Sequence, residues 1–401
     1  MPNLYEPSAK QRIRSIDILR GIIMLIMVLD HARHFFHYDP AFIDPTDMAH
    51  TTPLLFFTRW ITHFCAPNFV FLTGVSAYLA GTRRTKSELS TFLIKRGLWL
   101  VFIEVVVLSF AFSLNPFYNF ITLQVLWLIG WSMVILGLLV WAPLKVIAVI
   151  GALIFFGHDI FDYINIPDHG IPARILHQLF TGGTGRLSIT PLSKTHVIFN
   201  MYALIPWTSI MLLGYVFGSI YTKEYNPQKR RKILLYTGVS LLALFVVLRY
   251  FNIYGNPSPW VIQHNGTYTF MSFLNVSKPR PSLLFACLTL GTGLIVLALT
   301  ENIKTRVTGI LIIYGNVPFF FYILHFYILR AINVILFFAQ GYSIRQINSP
   351  NHSFWFSTPD FGFNLGGVYG VWLFVIFILY FPCRWFSSYK KNHNQWWLSY
   401  L

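Results

Sequence analysis

Asp30, His31, Arg33 and His34 crowd into five consecutive positions of SIDILRGIIMLIMVLDHARHFF (15–36), a stretch that is apolar from Ile22 to Leu29. An ionisable group at the centre of a membrane helix costs roughly 2.5 to 3.5 kcal/mol on insertion scales, so a chain that keeps several of them uses them. The residue types suit proton transfer. An imidazole with an ordinary pKa near ~6.5 can take a proton from an amine or hydroxyl at physiological pH. Arg20 lies eleven positions before His31, and a helix turns about 100° and rises about 1.5 Å per residue, so the two side chains are about 20° apart around the axis and roughly 16 Å apart along it. Asp17, Met24, Met27 and Val28 fall near the same stripe, which runs from a cationic mouth over an apolar track to an imidazole. Asp30 diverges from His31 by about 100° and is expected to pair with His34 at i+4. His31 then needs an orienting group from elsewhere, for which His63, Glu104 and His325 are the candidates. His37 turns about 240° from His31, a poor arrangement for three ligands on one helix, and no metal is expected.

These groups need helices to carry them. With 55% hydrophobic residues, 11% charged residues and a mean hydropathy of +0.57, the chain departs from soluble proteins, whose charged share is about 25%. It reads as an all-α polytopic membrane protein. Ten apolar segments approach the roughly 20 residues that a bilayer requires: about 16–36, 60–81, 97–113, 121–141, 145–160, 200–221, 232–252, 281–299, 310–338 and 367–386. They leave no room for a soluble domain, so 16–386 is expected to form one transmembrane unit between a 1–15 tail and a 387–401 interfacial tail. The first segment is expected to persist as a helix, because polar residues precede it and no small-residue cleavage pattern follows. Pro67 and Pro318 sit inside long apolar segments, where proline breaks the hydrogen-bond ladder, and broken helices at membrane depth usually line a cavity.

The formal charge of +16 does not call for nucleic acid. If both termini are cytoplasmic, 20 of the 30 Lys and Arg residues fall on that side, as the positive-inside rule requires. Cys65, Cys287 and Cys383 form no paired motif and read as packing residues. The longer outer segments, about 37–59, 161–199, 253–280 and 339–366, are rich in Asn, Pro, Gly, Thr and aromatic residues, and suit folded caps over an opening where an acceptor binds.

A cationic mouth with a deep base fits a long ligand bearing phosphates at one end and a reactive group at the other, the shape of an acyl-coenzyme A. The stretch IDILRGIIMLIMVLDH carries the Arg-x10-His spacing and the I/L-D-x-L-R opening of membrane acyltransferase-3 families. It resembles more closely the catalytic domain of heparan-alpha-glucosaminide N-acetyltransferase and its bacterial relatives. The similarity continues through HFCAPNFVFLTGVSAYL (63–79), KRGLWL (95–100), QVLWLIGWSMVILGLL (124–139), YALIPWTSIMLLGYVFG (202–218), KPRPSLLFACLTLG (278–291) and GNVPFFFYILHFYILR (315–330). The resemblance implies transfer of an acetyl group from cytosolic acetyl-CoA to a sugar amine or hydroxyl across the membrane, in a bacterial inner membrane, with a homodimer admitted. The animal lysosomal enzymes look different at the Asp30-His31 pair, and their acceptor-activating histidine falls nearer His34 or His37, so the base stays open among His31, His34 and His37.

Direct transfer with a histidine base and transfer through an acetyl-histidine both fit. Asn68, Ser76, Trp127, Ser132 or the freed amides beside Pro67 and Pro318 are candidates for holding the thioester oxyanion. Each sharp reading has a bland counterpart. Asp30 can serve as a support for His34, Arg20 as an orientation anchor, Lys95 and Arg96 as interfacial anchors, and Glu104, His63 and His325 as interhelical hydrogen-bonding groups. The donor-binding set is Arg20, Asp17, Lys95 and Arg96. The competing class is a secondary transporter, which ten spans, broken helices and buried charge would also suit.

Overall fold

The computed structural model describes residues 13–38, 44–164, 171–181, 189–200, 202–278, 280–348, 354–358, 360–393 and 395–399. The chain is mostly helical, 72%, with little strand. In order, the helices are α1 (Arg14–Phe36), α2 (Pro53–Ile61), α3 (Cys65–Gly81), α4 (Lys86–Phe102), α5 (Ser109–Ser113), α6 (Val125–Leu139), α7 (Leu144–Gly157), α8 (Ile171–Leu176), α9 (Leu204–Phe217), α10 (Pro227–Phe251), α11 (Gly266–Leu274), α12 (Leu283–Thr300), α13 (Arg306–Gly315), α14 (Pro318–Ala339) and α15 (Leu365–Asn392). Among the described residues, seven continuous helical stretches are long and apolar enough to cross a membrane: Pro53–Gly81, Leu144–Asp162, Leu204–Tyr221, Pro227–Phe251, Leu283–Thr300, Pro318–Ala339 and Leu365–Asn392. Val125–Leu139 and Arg306–Gly315 are apolar but shorter.

Several expected boundaries move. The segment expected at 97–113 begins at Lys86, where Thr85 and Glu88 cap each other's backbone, a reciprocal arrangement that satisfies two orphan amides. Residues Ile103–Leu108 of this stretch are π-helical, a local bulge of the kind that gathers at functional sites. The segment expected at 121–141 is not helical from its start. Phe120–Leu123 is a strand, β1, paired in parallel with β3 (Val197–Asn200), which pairs antiparallel with β2 (Ile189–Pro191). The all-α expectation is corrected to that extent. The apolar run 310–338 is two helices, since α14 restarts at Pro318, whose ring fixes a first-turn geometry and removes only an orphan amide. At Pro67 the disturbance lies just upstream, as a 3-10 turn at Thr62–Phe64 between α2 and α3. α15 continues to Asn392, past the expected limit at 386.

α1 runs through the interior. Val28, Ala32 and Phe36 are fully buried, and its neighbours are α3, α12, α13, α14 and α15. Its approach to α13 depends on missing side chains: a Cβ at Gly21 would strike the backbone of Leu311, and one at Gly315 would strike the backbone of Asp17. Those two glycines bring the α13–α14 break against the end of α1 that carries Asp17 and Arg20.

Candidate active site

The central juxtaposition joins two helices far apart in sequence. His31 Nδ1 lies 2.7 Å from His325 Nε2, the rings stacked at 5.0 Å. The other nitrogen of His325, Nδ1, is 3.2 Å from the Phe321 carbonyl oxygen. A carbonyl only accepts, so His325 Nδ1 carries the hydrogen and its Nε2 is an acceptor. His31 Nδ1–H must therefore donate to it, and the lone pair of His31 is left on Nε2. Phe326 packs against the His31 ring at 4.4 Å, and Tyr322 stands edge-on at 6.5 Å. His325 is fully buried, whereas His31 is half-buried. Of the three expected orienting candidates, the structure brings His325 to His31.

A cavity of about 450 Å³ has Tyr322 on its wall, while neither His31 nor His325 lines it. Asp17, Arg20 and Met24 of α1 line it, at the spacing the helical stripe predicts, and the Tyr322 ring lies 6.5 Å from that of His31 and 5.4 Å from that of His325. Arg20 is half-buried, with Nη1 3.5 Å from Asp17 Oδ1 and Nη2 bonded to Ser76 Oγ and 3.5 Å from the Leu72 carbonyl oxygen. Ser76, a candidate oxyanion donor by sequence, is thus engaged with Arg20. Arg96 of α4 also lines the cavity and lies over the Phe92 ring at 5.9 Å. Lys95, next to it, is exposed and is not on the cavity wall. Lys390, from the last turn of α15, is on the wall and was not in the sequence-derived set.

Asp30 is where the structure corrects the helical-wheel expectation. Its carboxylate faces Arg59 Nη1 at 3.2 Å, Arg33 Nη2 at 3.4 Å and Lys278 Nζ at 3.8 Å, and is not paired with His34. Arg59 comes from α2 and Lys278 from the segment before α12, partners that periodicity within α1 could not supply. Burial, then Arg59 beside it, pushes the Lys278 ammonium down to about 8. His34 instead lies among rings, stacked on Phe112 at 5.1 Å and edge-on to Phe354 at 5.7 Å. His37 ends α1, pairing with Phe363 in an isolated bridge.

The remaining candidates lie apart from the histidine pair. Glu104 Oε2 accepts from the backbone amides of Leu126 at 2.9 Å and Trp127 at 3.3 Å. It therefore caps the start of α6, where orphan amides need an acceptor. His63 is buried against Phe285 at 5.5 Å, and its Nδ1 has no hydrogen-bond partner among the described residues. Asn68 donates to the Thr289 carbonyl of α12 at 3.3 Å, and Ser132 meets Thr208 at 2.9 Å, so both tie helices together. The three cysteines are free and buried. Among the described residues no three His, Cys, Asp or Glu side chains converge in a metal-binding group.

The long apolar helices, with polar groups turned inward against one another, make this a helical membrane protein. The family model described as heparan-alpha-glucosaminide N-acetyltransferase, catalytic, matches residues 12–249 of the 401. The chain belongs to that family, and with it to the membrane acetyltransferases. No curated protein matches the chain. The matched residues carry Asp17, Arg20, Asp30, His31 and Arg96, while Lys278, Tyr322, His325 and Lys390 come from the part beyond them.

Proposed function

We propose that the protein moves an acetyl group from acetyl-CoA, bound from the cytosolic side, to an amine or hydroxyl of a saccharide arriving from the opposite side. The observation that carries this reading is the His31–His325 pair, in ring contact with Tyr322, which lines the same cavity as Arg20. Arg20 and Asp17 orient the donor's polar end. The pantetheine arm follows Met24 along α1, over about the 16 Å that separates Arg20 from His31 on a regular helix. His31 Nε2 takes the proton from the attacking amine or hydroxyl as the new bond to the acyl carbon forms, and the thiolate of coenzyme A leaves. His325 acts as a positioning residue, because its accepting Nε2 holds His31 in the tautomer whose lone pair faces away from it. The cytosolic sidedness is supported by the positive-inside distribution of Lys and Arg. A bacterial inner membrane and a single transmembrane unit over 16–386 go with this reading.

The test is acetyl transfer from acetyl-CoA to a panel of amino sugars by the detergent-purified protein, alongside calorimetric binding of coenzyme A. His31→Ala should lose about 10² to 10⁴ in rate with coenzyme A affinity nearly unchanged, since the imidazole does not hold phosphates. Full activity in that variant would move the base to His34 or His37. A wild-type protein that neither binds nor turns over acetyl-CoA would favour the transporter reading instead.

A further inference from the structure

Lys390 and Lys391 are consecutive residues in the last turn of α15, yet they have different environments. Lys391 is exposed, while Lys390 is half-buried on the wall of the cavity that Arg20 and Arg96 also line. Among the described residues, three cations thus reach one cavity from three helices, and Asp17 is the single acidic side chain on its lining. The end of α15 is fastened there. Ser387, one turn before Lys390, accepts from Asn316 Nδ2 at 3.2 Å, and Asn316 sits at the α13–α14 break on the cavity wall. Beyond the helix the chain folds back on its end: Tyr389 stacks on His393 at 3.9 Å, its hydroxyl donates to Gln395 Oε1 at 2.9 Å, and Leu398 is buried. A lysine side chain flexes, but its backbone is placed by these contacts.

We propose that Lys390 binds the nucleotide phosphates of the donor, so that the C-terminal helix is a wall of the donor site. This rests on the acetyl-CoA reading above. The chemistry favours phosphate: cations from three helices on the lining of one cavity match an anion with several charged groups, and an ammonium on a flexible stem meets a phosphate as a point charge. A phospholipid headgroup carries the same chemistry, and the experiment separates the two sources.

Coenzyme A binding is measured by calorimetry in neutral detergent for the wild type, Lys390→Gln, Lys390→Arg and Lys391→Gln. Lys390→Gln should weaken binding about five- to tenfold at low salt, as a partly solvated charged contact allows. The gap should narrow as salt screens the charge. Lys390→Arg should restore most of the affinity, and Lys391→Gln should bind as the wild type does. Phosphatidylglycerol added to the micelles should not displace coenzyme A from the wild type. The inference is overturned if Lys390→Gln binds normally, if its loss is matched by a lower unfolding midpoint and not rescued by arginine, or if the lipid displaces coenzyme A. If the wild type binds no coenzyme A while remaining folded, the donor reading itself falls and takes this inference with it. Normal binding by Lys390→Gln beside weak binding by Arg20→Ala would remove Lys390 alone.

Discussion

The two ends of α1 carry the same kinds of residue and use them in opposite ways. At one end Asp17 and Arg20 lie 3.5 Å apart on the wall of a cavity that Arg96 and Lys390 also line. At the other end Asp30 is enclosed by Arg33, Arg59 and Lys278, all within 4 Å of one carboxylate. The first arrangement brings cations from three helices to the lining of a space of about 450 Å³, where the proposed anionic donor would lie. The second satisfies its charges internally and ties α1 to α2 and to the segment before α12. His31 follows Asp30 directly, turned about 100° from it around the axis, and is partnered through a neutral contact with His325. In the proposed reading, one end of the helix binds the donor and the other holds the helix in place.

Breaking the clamp should have the largest effect. Asp30→Asn leaves three cations around a neutral amide, and removing one partner of a buried ionic cluster typically costs about 3 to 5 kcal/mol. Thermal unfolding in detergent should show a lower midpoint. If the midpoint holds while activity falls, Asp30 is a site residue and the contrast between the two ends disappears.

The next effect comes from the helix contact that supports the binding end. Gly315→Val would drive a side chain into the backbone of Asp17, and such overpacking costs about 1 to 3 kcal/mol. Because the displaced backbone bears on Asp17 and its neighbour Arg20, coenzyme A affinity should fall together with stability. A stable protein of unchanged affinity would show that the α1–α13 contact does not set the cavity.

Arg20→Ala should act on binding alone. Coenzyme A affinity is expected to drop about tenfold, with a stability change of about 0.5 kcal/mol or less, as for a partly solvated pair. Arg20→Lys keeps the charge but loses the planar fork and should recover part of the affinity. An Arg20→Ala protein that unfolds much earlier would make both ends structural.

The smallest effect sharpens the clamp. Lys278 has its folded-state pKa pushed down to about 8 by burial and by Arg59, below the usual lysine value near ~10.4. Between those values the unfolded chain holds the proton and the folded one does not, so Lys278 makes stability rise with pH across that window and lowers it as pH falls through about 8. Lys278→Met should remove that slope. Unfolding midpoints of the two proteins, compared between about pH 8 and 10, would show parallel curves if Lys278 lies outside the clamp.

Periodicity along α1 placed Asp17, Arg20 and Met24 on one wall because an α-helix has a fixed rotation per residue, and the cavity follows that stripe. The same rule failed for Asp30. Its i+4 neighbour His34 is within reach on a wheel, but stronger partners of opposite charge arrive from other helices, and His34 is taken up by Phe112 and Phe354. The break within the 310–338 run was legible at Pro318, where α14 restarts after α13 ends at Gly315. Lys390 was legible only as one of two adjacent lysines ending a membrane helix, a pattern that ordinarily means an interfacial anchor.

What the amino-acid sequence determined by itself was local and cumulative. Its hydropathy made the chain a helical membrane protein, its proline positions set the restart at Pro318, and its 3.6-residue repeat aligned Arg20 with the His31 side of α1. The tertiary structure alone decided which side chains meet across helices: His325 with His31, Arg59 and Lys278 with Asp30, Glu104 with the start of α6, and Lys390 with the cavity. Each of these pairs joins residues more than 20 positions apart in the sequence or on different helices. Rotation and rise along a single helix fix only neighbours within a few turns, and the order in which helices pack, at glycines such as Gly21 and Gly315, is set by how all of their surfaces fit at once.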